Sequence, residues 1–206
     1  MTSPILTAVF LDRDGTIIHD AHYLSRPEQL RLLDGAAEAI VKFNRVGVPV
    51  ILVTNQSGIG RGYFTIADYE RVHAHLIAKL AEYGAHLDGA YYCPHAPDLT
   101  PPCDCRKPGS LLFRQAMQEH RLDPSGAVAL GDRWRDLAPV IGLGGTGILI
   151  PSPDTPVEDV ARAEREASVA QTLGAATTRL LDAGDLLRPP EVPSPIPPVV
   201  FPPLDR

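Results

Sequence analysis

Residues 8–16 read AVFLDRDGT, so an apolar run leads directly into two aspartates, Asp12 and Asp14, and then into a glycine. Residues two apart in an extended chain point to the same side, so both carboxylates can meet one small ligand where a strand ends. Gly15 allows the chain to turn sharply after them. Two converging carboxylates suit a hard cation such as Mg²⁺, and one of them can also act as a nucleophile.

Two other interpretations of this Asp-x-Asp-Gly pattern stay open on these residues alone. A calcium loop of the EF-hand type would need a third acidic or amide residue and a glycine where Thr16 and Ile17 stand. The segment before the aspartates also predicts a strand, whereas an EF-hand loop follows a helix. A solvated surface turn is the remaining alternative.

The rest of the chain alternates strand-like and helix-like segments. Strands are predicted over residues 7–12, 48–54, 87–92, 126–130 and 145–150. Helices are predicted over about 34–46 with Asp34 as N-cap, 65–82, 110–120, a short stretch from 134, and a mainly helical 155–187 with a small strand at 168–171. This order predicts an α/β, Rossmann-like parallel sheet with helices on both faces. Ligands of such sheets bind beyond the carboxyl ends of the strands.

Residues suited to phosphate or metal follow several of the predicted strands. The first strand ends at Asp12, the second at Thr54 and Asn55, and the fourth is followed by Asp132. The loop after the third strand leads to Lys107. Because these strand ends meet at one edge of a parallel sheet, we expect the side chains to share one site.

All three cysteines lie in one short window, together with a histidine: Cys93, His95, Cys103 and Cys105. The Cys-x-His and Cys-x-Cys pairs supply four ligands, the number that a closed structural Zn²⁺ site needs. An odd number of clustered cysteines favours metal binding over a disulfide framework. The loop over residues 93–105 is poor in apolar residues, so zinc would brace it and position the basic pair that follows. Free reduced thiols beside an unrelated histidine are the alternative.

The composition bounds the class of protein. The 206 residues carry a net charge of −6, with 44% hydrophobic and 21% charged residues, as is usual for a globular domain. The acidic balance disfavours nucleic acid or an anionic membrane as partner. No apolar run is long enough to span a bilayer and the N-terminus lacks a basic signal-peptide region, which predicts a cytoplasmic protein. Nothing in the sequence requires an oligomer, so a monomer is expected.

The chain resembles the haloacid-dehalogenase-like (HAD) phosphatases, and it carries their four motifs in order. These are DRDGT at residues 12–16, VTNQSG at 53–58, CRKP at 105–108 and GD at 131–132. More narrowly, QSGIGRG at 56–62 and YYCPH at 91–95 are similar to the heptose 1,7-bisphosphate 7-phosphatases and the related histidinol-phosphate phosphatases. The resemblance covers roughly residues 8–150.

The resemblance implies the catalytic and metal-binding roles. Asp12 is expected to be the nucleophile that forms an aspartyl phosphate, and Asp14 the general acid and base. Mg²⁺ would be held by Asp12, by the backbone carbonyl of Asp14 and by Asp132. Asp136, one helical turn further on, either contributes to that site or is a solvated helix residue. The family also carries a Cys-x-His…Cys-x-Cys zinc loop, which supports the zinc prediction.

Further residues are expected to bind the substrate. Thr54 and the backbone beyond it would donate hydrogen bonds to the phosphoryl oxygens, and Lys107 would supply a fixed positive charge, although a lone lysine is usually a surface residue. Arg61 and Arg106 suit anionic groups away from the scissile phosphate, because a guanidinium matches phosphate geometry. The remaining candidates at the substrate are Asp20, His22, Tyr23, Asn55, Gln56, Ser57 and Arg133, of which His22 also has a surface interpretation.

These predictions combine into an Mg²⁺-dependent phosphomonoesterase for a small phosphorylated metabolite, with the heptose bisphosphate as expected substrate. Histidinol phosphate or another small phosphate ester is the alternative within the class, and a polynucleotide 3′-phosphatase is disfavoured by the charge. An alternative from another class is a non-catalytic, zinc-bearing interaction protein. The phosphatase domain is predicted over residues 1–187 without a large cap domain. Residues 188–206, with eight prolines, are predicted as a tail that is either irregular or a ligand of a proline-binding domain.

Overall fold

A computed structural model describes residues 5–98 and 103–182 of the chain, which form an α/β fold. The strands are β1 (Ala8–Leu11), β2 (Val50–Asn55), β3 (Gly89–Cys93), β4 (Ala127–Gly131), β5 (Thr146–Leu149) and β6 (Ser168–Val169). The helices are α1 (Ala36–Arg45), α2 (Ser57–Gly60), α3 (Ile66–Glu82), α4 (Leu111–Glu119), α5 (Trp134–Gly142), α6 (Val157–Glu166) and α7 (Leu173–Asp182).

The six strands form one parallel sheet in the order β3-β2-β1-β4-β5-β6. The chain runs outward from β1 to β3 on one side and then returns to β4 on the other. The strand order therefore reverses between β1 and β4, and ligands of such sheets bind at this point. Asp12 follows β1 and Asp132 follows β4, so the reversal places both aspartates at the predicted site.

The sheet is buried on both faces, which explains the continuous apolar strands. Along β1, Val9 and Leu11 pack into a cluster with α1, α3 and α7. Ala8 and Phe10 point to the opposite face, where they pack with residues of α4. The central strand is thus fixed from both sides, and the residues that follow it start from a rigid position.

Within the described residues the predicted sheet and helices are confirmed, with boundaries shifted by a few residues, and residues 183–187 of the last predicted helical region lie outside them. Thr65 caps α3 in a reciprocal capping box with Asp68, as its sequence spacing indicates. The prediction of Asp34 as the N-cap of α1 is wrong, because Gly35 holds that position at φ 75°. The turn into α1 needs a left-handed residue, which glycine adopts without a steric penalty. The sequence prediction also missed the short helix α2.

The segment between β1 and β2 carries no inserted domain, in agreement with the predicted absence of a large cap. The predicted proline-rich tail, residues 188–206, lies outside the described residues. Within the described part of the chain, no helix has the length and apolar character that crossing a membrane requires.

His73 on α3 predicts a specific sensitivity of the fold to acid. Its ring stacks on Tyr69, and its Nδ1 atom finds no hydrogen-bond partner among the described residues. Burial lowers the pKa of His73 to about 4. The unfolded chain therefore binds a proton that the folded chain does not bind between pH 6.5 and 4, so stability is lost as the pH falls through this range. At pH 5 His73 alone contributes a loss of about 2 kcal/mol, and protonation of the buried Asp132, whose pKa is raised to about 7, acts in the opposite direction.

Urea unfolding at pH 7 and pH 5 measures this effect. The His73→Phe variant keeps an aromatic ring against Tyr69 and should lose less stability on acidification than the wild type does. His19→Phe, at an exposed histidine, is the matched control and should follow the wild type. An identical loss in the wild type and His73→Phe would exclude His73 as the source.

Candidate active site

A cleft of about 310 Å³ opens at the carboxyl edge of the sheet, at the reversal between β1 and β4. It brings together every residue that the sequence predicts at the reaction site and substrate: Asp12, Asp14, Asp20, His22, Tyr23, Thr54, Asn55, Gln56, Ser57, Arg61, Arg106, Lys107, Asp132, Arg133 and Asp136. These residues come from five separate segments of the chain, so their convergence is a property of the fold.

Three carboxylates form a compact acidic cluster in the cleft. Oxygen atoms of Asp12, Asp132 and Asp136 all lie within 4.8 Å of one another. Burial, followed by the negative charges of Asp12 and Asp136, raises the pKa of Asp132 to about 7. A divalent cation such as Mg²⁺ would relieve the mutual repulsion of these buried carboxylates, and their oxygen atoms are the ligands that it prefers. The interpretation of Asp136 as a solvated helix residue is wrong, because its side chain is only 3% exposed.

Lys107 is buried against this cluster. Its Nζ atom lies 2.6 Å from Asp12 Oδ1 and 2.7 Å from Asp136 Oδ1, and it donates a hydrogen bond to the Val53 carbonyl at 2.7 Å. Burial opposes the charged form, but the two carboxylates outweigh this effect and raise the pKa of Lys107. The ammonium group is therefore charged and immobile, and the surface interpretation of this lysine is wrong.

Asn55 holds the backbone that carries this lysine. Its Oδ1 atom accepts a hydrogen bond from Lys107 N at 3.0 Å, and its Nδ2 atom donates to the Lys107 carbonyl at 3.2 Å. Asn55 lines the cleft as predicted, but its side-chain amide is used to link β2 to the loop that follows β3. Its contribution to the site is the position of Lys107.

Asp14 lies beside the cluster and is held by a network of its own. Arg13 Nη2 is 3.0 Å from Asp14 Oδ2, and Gln56 Nε2 donates to the same oxygen at 3.2 Å. Gln56 also accepts a hydrogen bond from Arg13 at 3.1 Å and donates one to Thr54 Oγ1 at 2.9 Å. Burial and the nearby Asp12 charge raise the pKa of Asp14, although Arg13 opposes them. A carboxyl group in this setting suits proton transfer.

Asp132 is fixed by residues beyond β5. Ser152 Oγ donates a hydrogen bond to Asp132 Oδ2 at 2.8 Å, and Thr155 Oγ1 donates to the Asp132 carbonyl at 2.7 Å. Gly15 approaches the same carboxylate closely: a Cβ atom at this position would lie 2.6 Å from Asp132 Oδ2. Two features therefore require glycine at position 15: its left-handed backbone, with a φ of +78°, and the lack of space for a side chain.

The four predicted zinc ligands meet at one point of the loop after β3. Cys105 Sγ lies 3.1 Å from Cys93 Sγ and 3.1 Å from His95 Nδ1, and Cys103 Sγ lies 3.6 Å from Cys93 Sγ. Tetrahedral ligands of one Zn²⁺ are about 3.5–3.8 Å apart, given metal–ligand distances of about 2.0–2.3 Å. The four ligand atoms are therefore arranged as zinc requires, with some of them slightly closer together than they would be around the bound ion. The adjacent Arg106 donates to the His95 carbonyl at 3.3 Å, which connects the cluster to the cleft.

Tyr23 lines the cleft and packs against a second tyrosine that lies outside the lining. His22 and Tyr23 both adopt left-handed backbone conformations, at φ 45° and 65°, and Asp20 Oδ1 accepts a hydrogen bond from His22 N at 2.8 Å. The Tyr23 ring meets the Tyr63 ring edge to face, with centroids 4.8 Å apart. Both rings are exposed. Strained non-glycine residues are typical of functional sites, where the surrounding structure enforces them.

Several site residues could not be found from the sequence. Arg13, Tyr63, Arg135, Ser152 and Thr155 all lie at the cleft or support its residues. Arg13 stands inside the first motif, so its position there is the one available signal. An isolated arginine, tyrosine, serine or threonine in a loop or on a helix carries no pattern that marks it.

The cleft and the fold together define the class of protein. A family model described as HAD-hydrolase-like matches residues 104–176. The structure is also similar to a crystal structure of D,D-heptose 1,7-bisphosphate phosphatase from B. bronchiseptica complexed with magnesium and phosphate, with a TM-score of 0.78 and 30% identity over 86% of this chain and 99% of that chain. The fold is that of a HAD-like hydrolase.

Curated relatives define the family more closely. The D-glycero-beta-D-manno-heptose-1,7-bisphosphate 7-phosphatase of Haemophilus influenzae is 40% identical over 139 residues, which are 66% of this chain and 76% of that protein. The enzyme of the same name from Photorhabdus laumondii is 38% identical over 151 residues, 70% of this chain and 80% of that protein. The chain belongs to this family of phosphatases.

Proposed function

We propose that the protein removes the 7-phosphate of D-glycero-D-manno-heptose 1,7-bisphosphate, as an Mg²⁺-dependent phosphomonoesterase. The observation that carries this proposal is the contact of Lys107 with Asp12 at 2.6 Å inside a three-carboxylate cluster. Names of relatives that are about 40% identical supply the substrate. The cleft fits a small metabolite, because its volume of about 310 Å³ lies in the range of small-molecule sites.

The reaction divides into two displacements at phosphorus. Asp12 attacks the phosphoryl group, so a bond forms between its carboxylate oxygen and phosphorus while the bond to the sugar oxygen breaks. Asp14 gives its proton to the leaving oxygen. A water molecule then attacks the phosphorus of the aspartyl phosphate, Asp14 takes the proton, and inorganic phosphate leaves with Asp12 restored. Lys107 and Thr54 hold the charge that develops on the phosphoryl oxygens.

The metal would be held by Asp12, Asp132 and the backbone carbonyl of Asp14, with Asp136 beside them. When bound, Mg²⁺ neutralises negative charge so that the carboxylate and the phosphate can approach each other. Asp132 stays oriented for this role because Ser152 and Thr155 hold it from outside the cluster. Asp136 would keep Lys107 in place through the 2.7 Å contact with its ammonium group.

We propose Zn²⁺ as a structural ion on Cys93, His95, Cys103 and Cys105. Four soft or borderline ligands leave no open position, so the ion would take no part in the reaction. The hydrogen bond between the two thiols lowers the pKa of Cys105 and raises the pKa of Cys93, so the metal-free pair shares a proton that bound zinc would displace. The ion would brace the loop from which Arg106 and Lys107 reach the cleft.

Exchange of one zinc ligand tests this role. We expect His95→Gln to reduce bound zinc from one ion per chain to a small fraction and to lower the thermal midpoint by several degrees, because binding energy of the metal contributes to folding. Zinc content by atomic emission and thermal unfolding measure the two effects. His86→Gln, at an exposed histidine outside the cluster, is the matched control. Full zinc content in His95→Gln would contradict the proposed site.

Phosphate release with Mg²⁺ from a substrate panel tests the proposed function. The panel contains the heptose 1,7-bisphosphate, histidinol phosphate, other sugar phosphates and a 3′-phosphorylated oligonucleotide. We expect the heptose bisphosphate to give the highest kcat/KM and the oligonucleotide to give no release. A preference for histidinol phosphate would leave the mechanism in place but reject the substrate. If the protein releases phosphate from none of these compounds, the proposed phosphatase activity is wrong.

The catalytic unit is proposed to span residues 1–187 and to act as a cytoplasmic monomer. In support, every proposed catalytic residue and metal ligand comes from one chain. The proposed substrate is a soluble sugar bisphosphate, so its hydrolysis requires neither a nucleic acid nor a membrane as partner. Sedimentation of the purified protein tests the oligomeric state.

A further inference from the structure

The side-chain amide of Gln56 is hydrogen-bonded to three residues of the site. Its Nε2 atom donates to Thr54 Oγ1 at 2.9 Å and to Asp14 Oδ2 at 3.2 Å, and its Oε1 atom accepts from Arg13 Nη2 at 3.1 Å. Both N–H groups of the amide are therefore in use, and the residue is only 4% exposed. Although Gln56 lines the cleft, its side chain has no N–H group left to donate to a substrate.

Arg13 is the second residue that holds Asp14. Its Nε atom donates to Asp14 Oδ2 at 3.2 Å and its Nη2 atom donates to Asp14 Oδ1 at 3.1 Å, which is the paired geometry that a guanidinium group forms with a carboxylate. Arg13 is 1% exposed, and its guanidinium lies over the Tyr69 ring of α3, 5.8 Å from the centroid. A buried arginine with these contacts has little freedom to move, so it fixes the orientation of the carboxylate.

These contacts leave one oxygen of Asp14 for proton transfer. Oδ2 accepts hydrogen bonds from both Arg13 and Gln56, whereas Oδ1 accepts only one from the described residues. Each carboxylate oxygen can accept about two hydrogen bonds, so the spare capacity belongs to Oδ1. Asp14 lines the cleft and its side chain is 23% exposed. Oδ1 is therefore the atom on which Asp14 can carry a transferable proton.

We infer that Gln56 is a positioning residue, which together with Arg13 holds the Asp14 carboxyl so that Oδ1 delivers its proton to the leaving oxygen. The proton moves to that oxygen as the bond between oxygen and phosphorus breaks, while Oδ2 stays bound to Arg13 and Gln56. Misplacement of a reacting group by about 1 Å can cost about 10²-fold in rate. The inference rests on the proposed function and deepens it, because it changes the expected role of Gln56 from substrate contact to orientation of the general acid.

The basicity of the leaving group distinguishes this role from a merely structural one. A sugar alkoxide is a strong base and needs the proton as the bond breaks, whereas p-nitrophenolate is a weak base and leaves without it. The value of kcat/KM covers the steps up to the aspartyl phosphate, so the later proton transfer from water does not enter it. Any loss through Thr54 or through incomplete folding lowers kcat/KM for both esters alike. The ratio of the two values therefore reports the orientation of Asp14.

Gln56→Leu keeps the approximate size of the side chain and removes its hydrogen bonds. We expect the ratio of kcat/KM for the alkyl phosphate that the wild type hydrolyses fastest to kcat/KM for p-nitrophenyl phosphate to fall about 10- to 100-fold. Arg13→Lys keeps the charge but loses the paired geometry, so it should lower the ratio too. Gln115→Leu is the matched control, because Gln115 donates to Glu119 at 2.9 Å on α4, outside the cleft. An unchanged ratio in Gln56→Leu would overturn the inference and leave the phosphatase function intact.

Crystal structures of the wild type and of Gln56→Leu test the positioning without turnover. They decide the matter even if the wild type hydrolyses no ester and the proposed function is wrong. We expect the Asp14 side chain to hold one orientation against Arg13 in the wild type and to occupy a second orientation in the variant. An Asp14 side chain with the same single orientation in both proteins would overturn the inference.

Discussion

Asp12→Asn is expected to reduce phosphate release by about 10⁴-fold or more while the protein stays folded. The amide has nearly the shape of the carboxylate, so it fits the end of β1, but it is a far weaker nucleophile than a carboxylate. Lys107 keeps Asp136 as a partner at 2.7 Å, so the buried ammonium group is not left without a counter-charge. The steady-state rate and the thermal midpoint measure the two parts of this prediction.

Asn55→Asp is not a suitable control because Asn55 holds the Lys107 backbone. Asp159→Asn is better, since Asp159 accepts a hydrogen bond from Trp134 N on α5 without contributing to the carboxylate cluster. This variant should retain most of the activity. A folded Asp12→Asn protein with more than a few per cent of the wild-type rate would show that Asp12 is not the nucleophile. If the protein were a non-catalytic binding protein, neither wild type nor variant would release phosphate.

Lys107→Met is expected to lower both activity and stability. The substitution leaves Asp12 and Asp136 buried without the charge that lies within 2.7 Å of each. Removal of one partner from a buried ion pair costs about 3–5 kcal/mol. Loss of the fixed positive charge at the phosphoryl group should reduce kcat by about 10²–10³-fold. Urea unfolding in the absence of metal and steady-state kinetics with saturating Mg²⁺ measure these effects.

Lys79→Met is the matched control for this prediction. Lys79 lies near the end of α3, where its exposed ammonium group pairs with Glu82 at 3.0 Å. Exposed pairs of this kind contribute about 0–1 kcal/mol, so the variant should stay close to the wild type in both measurements. If Lys107→Met unfolded at the same urea concentration as Lys79→Met and kept its kcat, the proposed role of the buried lysine would be wrong.

The sequence was sufficient to predict the sheet and the location of the cleft. Apolar strands that each end in a polar residue identify the carboxyl edge of a parallel sheet, and Asp12, Thr54 and Asp132 meet there in the structure. The prediction succeeds because local patterns set where the strands end, whereas the order of the strands was not predicted and is seen only in the structure. The resemblance to a known family added the roles of these residues, which no local pattern specifies.

Side-chain partners were less predictable than element positions. Asp12 and Asp14 would point to one side in an extended chain, but β1 ends at Leu11. Beyond that residue the Asp14 carboxylate is held by Arg13 and Gln56, whereas Asp12 groups with Asp132 and Asp136. Contacts of this kind depend on the turn that Gly15 allows and on residues far away in the chain, so a pattern of spacings cannot give them.

The ambiguity over Asp136 has the same origin. A carboxylate one helical turn after Asp132 is either solvated or buried, according to what packs against the start of α5. In the structure that neighbour is Lys107, which comes from the loop after β3. The two residues are 29 positions apart in the chain, and only the fold brings them together.

The most direct test of the proposed activity is phosphorus NMR of heptose 1,7-bisphosphate incubated with the protein and Mg²⁺. We predict that the resonance of the 7-phosphate disappears, that the anomeric phosphate remains, and that one inorganic phosphate forms per sugar. Cleavage at the anomeric position, loss of both phosphates, or an unchanged spectrum with a folded, metal-loaded protein would contradict the proposed function.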